Sequence, residues 1–201
     1  MRGIEQIPWA YDLFMEVADR TGLQKLRHAL ARQVEGRILD LGCGTGRNLR
    51  LFEMTSKVTG LELEFGLLAR AHRRAPHVPL VIGRAEELPF QSGCFDTVVS
   101  SLVFCSVADP NQGLAEVSRV LDEAGDLRML EHVRSTNRLL AWCQDRIQPF
   151  WTWLTGGCHP NRETEASVAA AGFVIEEHEI RGRTTLRCFV ARPRKTGPEV
   201  D

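Results

Sequence analysis

The chain has one tyrosine in 201 residues, and no two of its six cysteines stand in C-x-x-C spacing. Without that spacing there is no zinc-ribbon or thioredoxin-like signature, and a chain of this length needs no disulfide staples, so a reducing, cytoplasmic compartment is expected. Long apolar runs are missing as well. No stretch of about 18 uncharged apolar residues occurs, so no membrane span is expected. The opening MRGIEQIPWAYDLF is interrupted by Glu5, Pro8 and Asp12, which excludes a signal h-region. Nor does one charge dominate: 25 basic side chains face 26 acidic ones, for a net charge of -1. A polyanionic partner such as nucleic acid has no global field to attract it. What is present, 43% apolar residues, suffices for one compact domain.

Alternating strand and helix patterns predict a layered α/β domain with a largely parallel sheet. A helix from Gly22 to Val34 is expected to share a face among Leu23, Leu26, Leu30 and Val34, with Arg27 pointing elsewhere. Arg37 to Leu41 reads as the first strand, followed by a glycine-dense turn opening a short helix. Strands at Val58–Leu63 and Val78–Gly83 flank a helix from Gly66 to Arg74. Phe95 to Leu102 carries little charge, as a central strand buried on both faces should. A helix through Leu114, Val117 and Leu121 leads to a strand at Asp126–Val133. In the next segment Leu139, Leu140, Cys143, Ile147, Phe150 and Leu154 share a helical face that Pro149 should kink or divide. Asn161 is a candidate N-cap for an alanine-rich helix ending at Ala171. Phe173–Ile180 and Thr184–Ala191, joined by Arg181-Gly182-Arg183, predict an antiparallel hairpin. The tail 193–201 reads as mobile.

The most informative passage is ILDLGCGTGRN, Ile38 to Asn48, where an apolar strand enters a turn with Gly42, Gly44 and Gly46. Glycines there permit positive φ and remove Cβ atoms that would block a ligand, so the turn makes a cradle. The spacing is not G-x-G-x-x-G, and Asp40 would place negative charge where a dinucleotide needs its pyrophosphate. That charge suits a ligand carrying an ammonium and a sulfonium, while a helix N-terminus would favour its carboxylate. Glu62, at the end of the second strand, is placed to accept from two ribose hydroxyls.

These residues resemble the class I S-adenosylmethionine-dependent methyltransferases over roughly Tyr11 to Ala191. The resemblance rests on DLGCGTG at 40–46, VTGLELE at 58–64, GRAEELPF at 83–90 and FDTVVSSLVFCSV at 95–107. It implies a three-layer Rossmann-like methyltransferase domain with a seven-stranded, mostly parallel sheet and a terminal antiparallel hairpin. A helical cap over 1–36, a core over 37–192 and an aromatic acceptor lid over 137–160 follow from it. So does S-adenosylmethionine as cofactor, with Asp40, Gly42, Cys43, Gly44, Gly46 and Asn48 around its methionine portion. Glu62 is implied for the ribose, Leu63, Ala85 and Glu86 for the adenine side, and Ser101 and Leu102 for the remaining wall. Arg84 departs from the pattern, since similar enzymes often carry an acidic acceptor there and a guanidinium cannot accept a hydrogen bond. Ala85 and Glu86 are expected to take over, with Arg84 turned outward.

LEHVRS at 130–135, the aromatic stretch at 148–154 and GGCHPNRET at 156–164 are similar to a smaller group that includes membrane-associated thiol methyltransferases of animal cells. That resemblance implies a small apolar or amphiphilic acceptor, most of all a thiol, with a lipid amine, a quinone precursor or cofactor binding without catalysis as alternatives. His132 and Glu131 are the candidate catalytic pair, His132 as a base or orienting residue and Glu131 as a carboxylate either in the pocket or supporting it from behind. Tyr11, Phe104, Trp151 and His159 are expected near the acceptor. The aromatic stretch can cover the acceptor, pack in the core, or meet a membrane surface or second subunit. Cys158 and His159 are neighbours without the further ligands of a closed metal site, methyl transfer requires no metal, and the cysteines are assigned structural or pocket-lining roles. Val103 to Ser106 reads VFCS, not the N/D-P-P-Y/F string of amino-methylating nucleic-acid enzymes.

Overall fold

The computed structural model of the chain describes residue 3 and residues 7–53, 55–176, 181–183 and 185–194. In chain order the regular elements begin with α1 (Pro8–Ala18), α2 (Gln24–Ala31), β1 (Arg37–Leu41), β2 (Lys57–Glu62), α3 (Phe65–Arg74) and β3 (Leu80–Ile82). They continue with β4 (Phe95–Ser101), α4 (Pro110–Val120), β5 (Leu121–His132), α5 (Arg138–Thr155), α6 (Thr164–Ala170), β6 (Phe173–Ile175), β7 (Arg181–Arg183) and β8 (Leu186–Pro193). The sheet runs β3-β2-β1-β4-β5-β8-β6, parallel from β3 to β5 and antiparallel at β8. Successive strands leave β1 in opposite directions, to β2 on one side and β4 on the other, so the carboxyl ends of β1 and β4 part at a topological switch point.

Period-two alternation sorts the strand residues into two apolar layers. Leu39, Leu41, Val98 and Met129 pack on one face with Leu114 and Val117 of α4, while Ile38, Val99 and Leu130 pack on the other with Leu30 and Leu68. Asp109 caps α4 by accepting from the N–H groups of Asn111 and Gln112, and Asn137 caps α5 through those of Leu139 and Leu140.

The β6–β8 pairing is the expected terminal antiparallel arrangement, with one difference. Arg181-Gly182-Arg183 is not a turn but strand β7, which pairs with Leu186–Cys188, while β6 pairs farther along the same edge of β8. The seventh position of the sheet is thus filled by two short pieces. Residues 177–180 and the tail from 195 lie outside the described residues.

Other expectations need correction. The first helix begins at Pro8, and α1 continues into α2 through a wide turn at Asp19–Leu23 that Gly22 relaxes with a φ of 122°. Tyr11 therefore lies within a helix, not ahead of one. Residues 44–51 form successive tight turns in place of a short helix, with bonds such as Gly46 N–H to the Cys43 carbonyl. The macrodipole argument made from that helix has no helix to act through. Pro149 neither divides nor ends α5, and α6 starts at Thr164 after Glu163, three residues past Asn161.

Helix α5 does not bury its apolar stripe, which counts against core packing among the three readings of this stretch. Its inward face consists of Ala141, Gln144 and Thr155, while Leu139, Trp142, Ile147, Phe150 and Trp153 are exposed. Gln144 explains the orientation: it accepts from Ser135 N–H and donates to the carbonyls of Val133 and Pro160, tying the helix to the end of β5. Three satisfied amide bonds fix the inner face, and the apolar stripe is turned outward.

Candidate active site

A cavity of about 270 Å³ opens at the switch point. Its walls come from the ends of β1, β2, β4 and β5, from α1, and from the C-terminal part of α5. Gly42, Gly44, Glu62, Leu63, Ala85, Glu86, Ser101 and Leu102 all line it, together with Tyr11, His132 and Trp151. Asp40, Cys43, Gly46, Asn48, Phe104, Glu131 and His159 do not.

The glycine turn divides into two functions. Gly42 and Gly44 have φ values of 65° and 56° and face the cavity; a Cβ on Gly42 would fall 2.4 Å from Val103 Cγ2, and one on Gly44 would fall 3.2 Å from the Tyr11 hydroxyl. Gly46 sits behind the turn, where a Cβ would fall 3.0 Å from Ala71 Cα of α3. The nearby Cys43 sulfur is buried over Gly60, and burial raises its thiol pKa, so it is a packing group. Glu62 ties the turn to β2. Its Oε2 accepts from Gly44 N–H at 2.9 Å, and its Oε1 from Leu63 and Glu64 N–H at 2.8 and 3.0 Å. Burial pushes its pKa up, against the opposing pull of these three N–H groups.

Beneath the turn lies a buried polar chain that the sequence did not announce. Arg27, expected on a polar helix face, is 5% exposed and donates to Asn48 Oδ1 at 2.8 Å, Ser101 Oγ at 3.0 Å and Asp19 Oδ1 at 3.1 Å. Asn48 in turn donates to Asp40 Oδ1 at 3.2 Å. Asp40 is fully buried, its Oδ2 has no partner among the described residues, and burial raises its pKa to about 7.

A folded-state pKa above the unfolded value means the folded protein holds this proton longer than the unfolded chain. The associated stability is complete below about pH 4 and is lost as pH rises through about 7. Asp40→Asn keeps the bond from Asn48 without the charge. It is expected to raise stability by about 1–3 kcal/mol at pH 8 and by roughly a third as much at pH 5, as read from urea unfolding at both values. An equal change at the two pH values would show that Asp40 does not titrate in this interval.

Glu131 is fully buried and does not line the cavity, which corrects its expectation as a catalytic carboxylate in the pocket and leaves the supporting role. Its Oε1 accepts from Ser100 Oγ, Val103 N–H and Phe104 N–H at 2.9, 3.0 and 3.1 Å, and its Oε2 from Cys105 N–H at 3.3 Å. Burial raises its pKa and these donors oppose the rise. The carboxylate thus gathers the loop after β4 from below. Just before that loop Leu102 holds a φ of 61°, unusual for a branched side chain, with its N–H bonded to the Leu130 carbonyl at 2.7 Å. Phe104 points into the core, away from any acceptor.

At the other end of the cavity, His132 Nδ1 lies 3.6 Å from Cys158 Sγ, and Cys105 completes a group whose ligand atoms all fall within 4.8 Å of one another. The Cys158 thiol is held below its ordinary pKa by a hydrogen bond from Cys105 and by His132, against the effect of burial. Trp151 Nε1 is buried with no nitrogen or oxygen acceptor among the described residues, and it lies close enough to Cys158 to favour that residue's thiolate. His159 is turned aside: its ring bonds to Gln148 at 3.0 Å and its N–H to the Cys105 carbonyl at 2.8 Å.

Two helices bound the opening. Tyr11 of α1 lies over Gly44, and Asp12 pins that helix to the turn by accepting from Thr45 Oγ1 and Arg70, both at 2.7 Å. Phe14 meets Trp151 of α5 with ring centroids 6.4 Å apart. On the far wall Glu86 accepts from the N–H groups of Ala108 and Asp109, and Arg84, more than half exposed, leans toward Glu86 at 3.6 Å. Arg84 is itself among the residues that line the cavity.

A family model described as a methyltransferase domain matches residues 39–129. The thiol S-methyltransferase TMT1B of Rattus norvegicus is 30% identical over 171 residues, covering 81% of this chain and 66% of that protein. A phosphatidylethanolamine N-methyltransferase of Cereibacter sphaeroides is 32% identical over 150 residues, covering 71% of this chain and 73% of its own length. The chain thus spans about two thirds of the rat protein it matches. The fold is shared with an S-adenosylmethionine-dependent methyltransferase of Thermotoga maritima, at a TM-score of 0.73 and 21% identity, over 94% of this chain and 97% of the other. With the turn, the Glu62 anchor and the sheet order in place, the chain belongs to the class I S-adenosylmethionine-dependent methyltransferases.

Proposed function

We propose that this chain transfers a methyl group from S-adenosylmethionine to a small apolar or amphiphilic acceptor, with a thiol foremost. The observation that carries the reading is one cavity with two unlike ends: Gly42, Gly44 and Glu62 at one, His132 and Trp151 at the other. The first end fits the cofactor. Gly42 and Gly44 leave room for its methionine portion. Glu62 Oε2 accepts a single protein N–H, so one lone-pair direction is left for a ribose hydroxyl, and a second hydroxyl exchanges with a backbone donor. Leu63, Ala85 and Glu86 bound the adenine side, with the Glu86 carboxylate engaged by the loop at 108–109. The buried charge of Asp40 lies behind the turn and acts on the cofactor's cationic groups through space.

Bound S-adenosylmethionine supplies an electrophilic methyl group on a sulfonium. The protein's part is to align the acceptor, exclude water and accept a proton where the acceptor carries one. His132 is the residue in the cavity wall with a nitrogen able to do so. Tyr11 and Trp151, on the helices read as cap and lid, close over the acceptor, while Glu131 holds the loop that shapes the wall. A thiol needs least from such a base, because its deprotonated form is accessible near neutrality. The exposed apolar residues of α1 and α5, among them Trp9, Leu13, Phe150 and Trp153, flank the opening and support peripheral contact with a membrane, where amphiphilic acceptors concentrate.

The test is incubation with methyl-labelled cofactor and a panel of thiols, lipid amines and phenols, with products followed by mass spectrometry. Labelled thioethers are expected. Transfer to a lipid amine and to no thiol reverses the ranking of acceptors. Tight cofactor binding with no product from any of the three classes rejects the enzymatic reading.

A further inference from the structure

Cys158 was unpromising in sequence because its neighbour His159 supplies no site. In the folded chain it finds other partners: Cys105, from the turn after β4, and His132, from the end of β5, lie 53 and 26 positions away. We propose that Cys105, His132 and Cys158 form a three-ligand site for a thiophilic divalent ion such as Zn²⁺, with the fourth position opening on the cavity.

The geometry admits an ion at the centre of the three side chains. Tetrahedral zinc with ordinary Zn–S and Zn–N bonds holds a sulfur and a nitrogen ligand about 3.6 Å apart. The Cys158 Sγ to His132 Nδ1 separation is 3.6 Å. Both thiols are nearly wholly buried, and the backbone carrying them is fixed independently of any ion. Cys105 N–H is bound by Glu131 and its carbonyl by His159 N–H. Cys158 N–H donates to Thr155 Oγ1 at 3.2 Å, and its carbonyl accepts from Thr152 Oγ1 at 2.8 Å. Trp151 Nε1, buried beside Cys158 without a nitrogen or oxygen partner, is placed to donate to a metal-bound thiolate. Cys105 and His132 also line the cavity, which gives the ion an open side. Two thiolates and one imidazole favour zinc over magnesium or calcium, which take oxygen ligands.

The consequence for catalysis rests on the thiol reading above. With the ion bound, His132 Nδ1 is a ligand and takes no proton, so an acceptor thiol takes the fourth position as its thiolate, its proton leaving to solvent as the metal–sulfur bond forms. The sulfur lone pair then makes the new S–CH₃ bond as the cofactor's sulfonium–CH₃ bond breaks. The products are a neutral thioether, which leaves the ion, and S-adenosylhomocysteine.

Cobalt substitution tests the site without any acceptor. The reduced full-length chain, freed of metal with a chelator, should bind one equivalent of Co²⁺ and show thiolate-to-cobalt charge transfer together with the visible bands of tetrahedral cobalt. Zn²⁺ should abolish both. Cys158→Ser or Cys105→Ser should weaken binding about 100-fold and halve the charge-transfer intensity, whereas Cys143→Ser, at an exposed position outside the group, should change neither. Absence of charge transfer in the unaltered chain, or its persistence in both site variants, overturns the proposal. Cobalt bands that shift on adding a thiol support the open position. A metal site intact in a protein that methylates no thiol rejects the acceptor reading alone, and thiol methylation in a chain that binds no Co²⁺ or Zn²⁺ rejects the metal site alone.

Discussion

Glu131→Ala is expected to lower folding stability by about 3–5 kcal/mol. Ser100 Oγ and the N–H groups of Val103, Phe104 and Cys105 all donate to this one carboxylate. An alanine leaves them in a space that water does not enter, at about 1–3 kcal/mol for each buried donor left unmade. Part of that is offset, because burial already opposes the ionised carboxyl. Glu131→Gln retains one acceptor oxygen but sets an NH₂ group against one of the donors, so a smaller loss of about 1–2 kcal/mol is expected. Urea unfolding of the three proteins orders them. An alanine variant within about 1 kcal/mol of the parent would mean that the loop after β4 holds its shape by other contacts.

Glu62→Ala should act on the ligand more than on the fold. Glu62 also accepts from three backbone N–H groups, but it borders the cavity, where water can replace the lost oxygen atoms. A stability loss of about 1 kcal/mol is expected, against a fall of about 1.5–4 kcal/mol in affinity for S-adenosylmethionine, roughly 10- to 1000-fold. Titration calorimetry measures the second quantity and thermal unfolding the first. Unchanged affinity would remove Glu62 from the ribose end of the site.

The contrast between these two carboxylates shows where the sequence was readable. Strand, glycine turn and Glu62 follow one another within 25 positions, from Ile38 to Glu62, and local pattern sufficed to bring them together. Arg27 was misplaced because a charged residue was assigned to the polar face by its type. Its spacing from Leu23 and Leu30 puts it in the apolar stripe, and that was visible in the helix periodicity. The orientation of α5 could not be read in the same way. Its apolar periodicity is real, but three hydrogen bonds from Gln144 to distant backbone groups turn that stripe outward. Cys105, His132 and Cys158 come from three elements, and only the sheet order brings them together.

One feature of Glu131 bears on how the chain can diversify. Apart from Ser100, the carboxylate contacts only main-chain donors in the loop at 103–105 and takes no account of the side chains mounted there. Ser106 can therefore be exchanged without disturbing the scaffold that presents it to the cavity, whereas Val103, whose Cγ2 occupies the space beside Gly42, admits only side chains of its own size or smaller. A library with every residue at 106 and only small ones at 103 should retain folded members in high proportion while redistributing preference among acceptors, which makes this stretch the natural place to begin directed evolution.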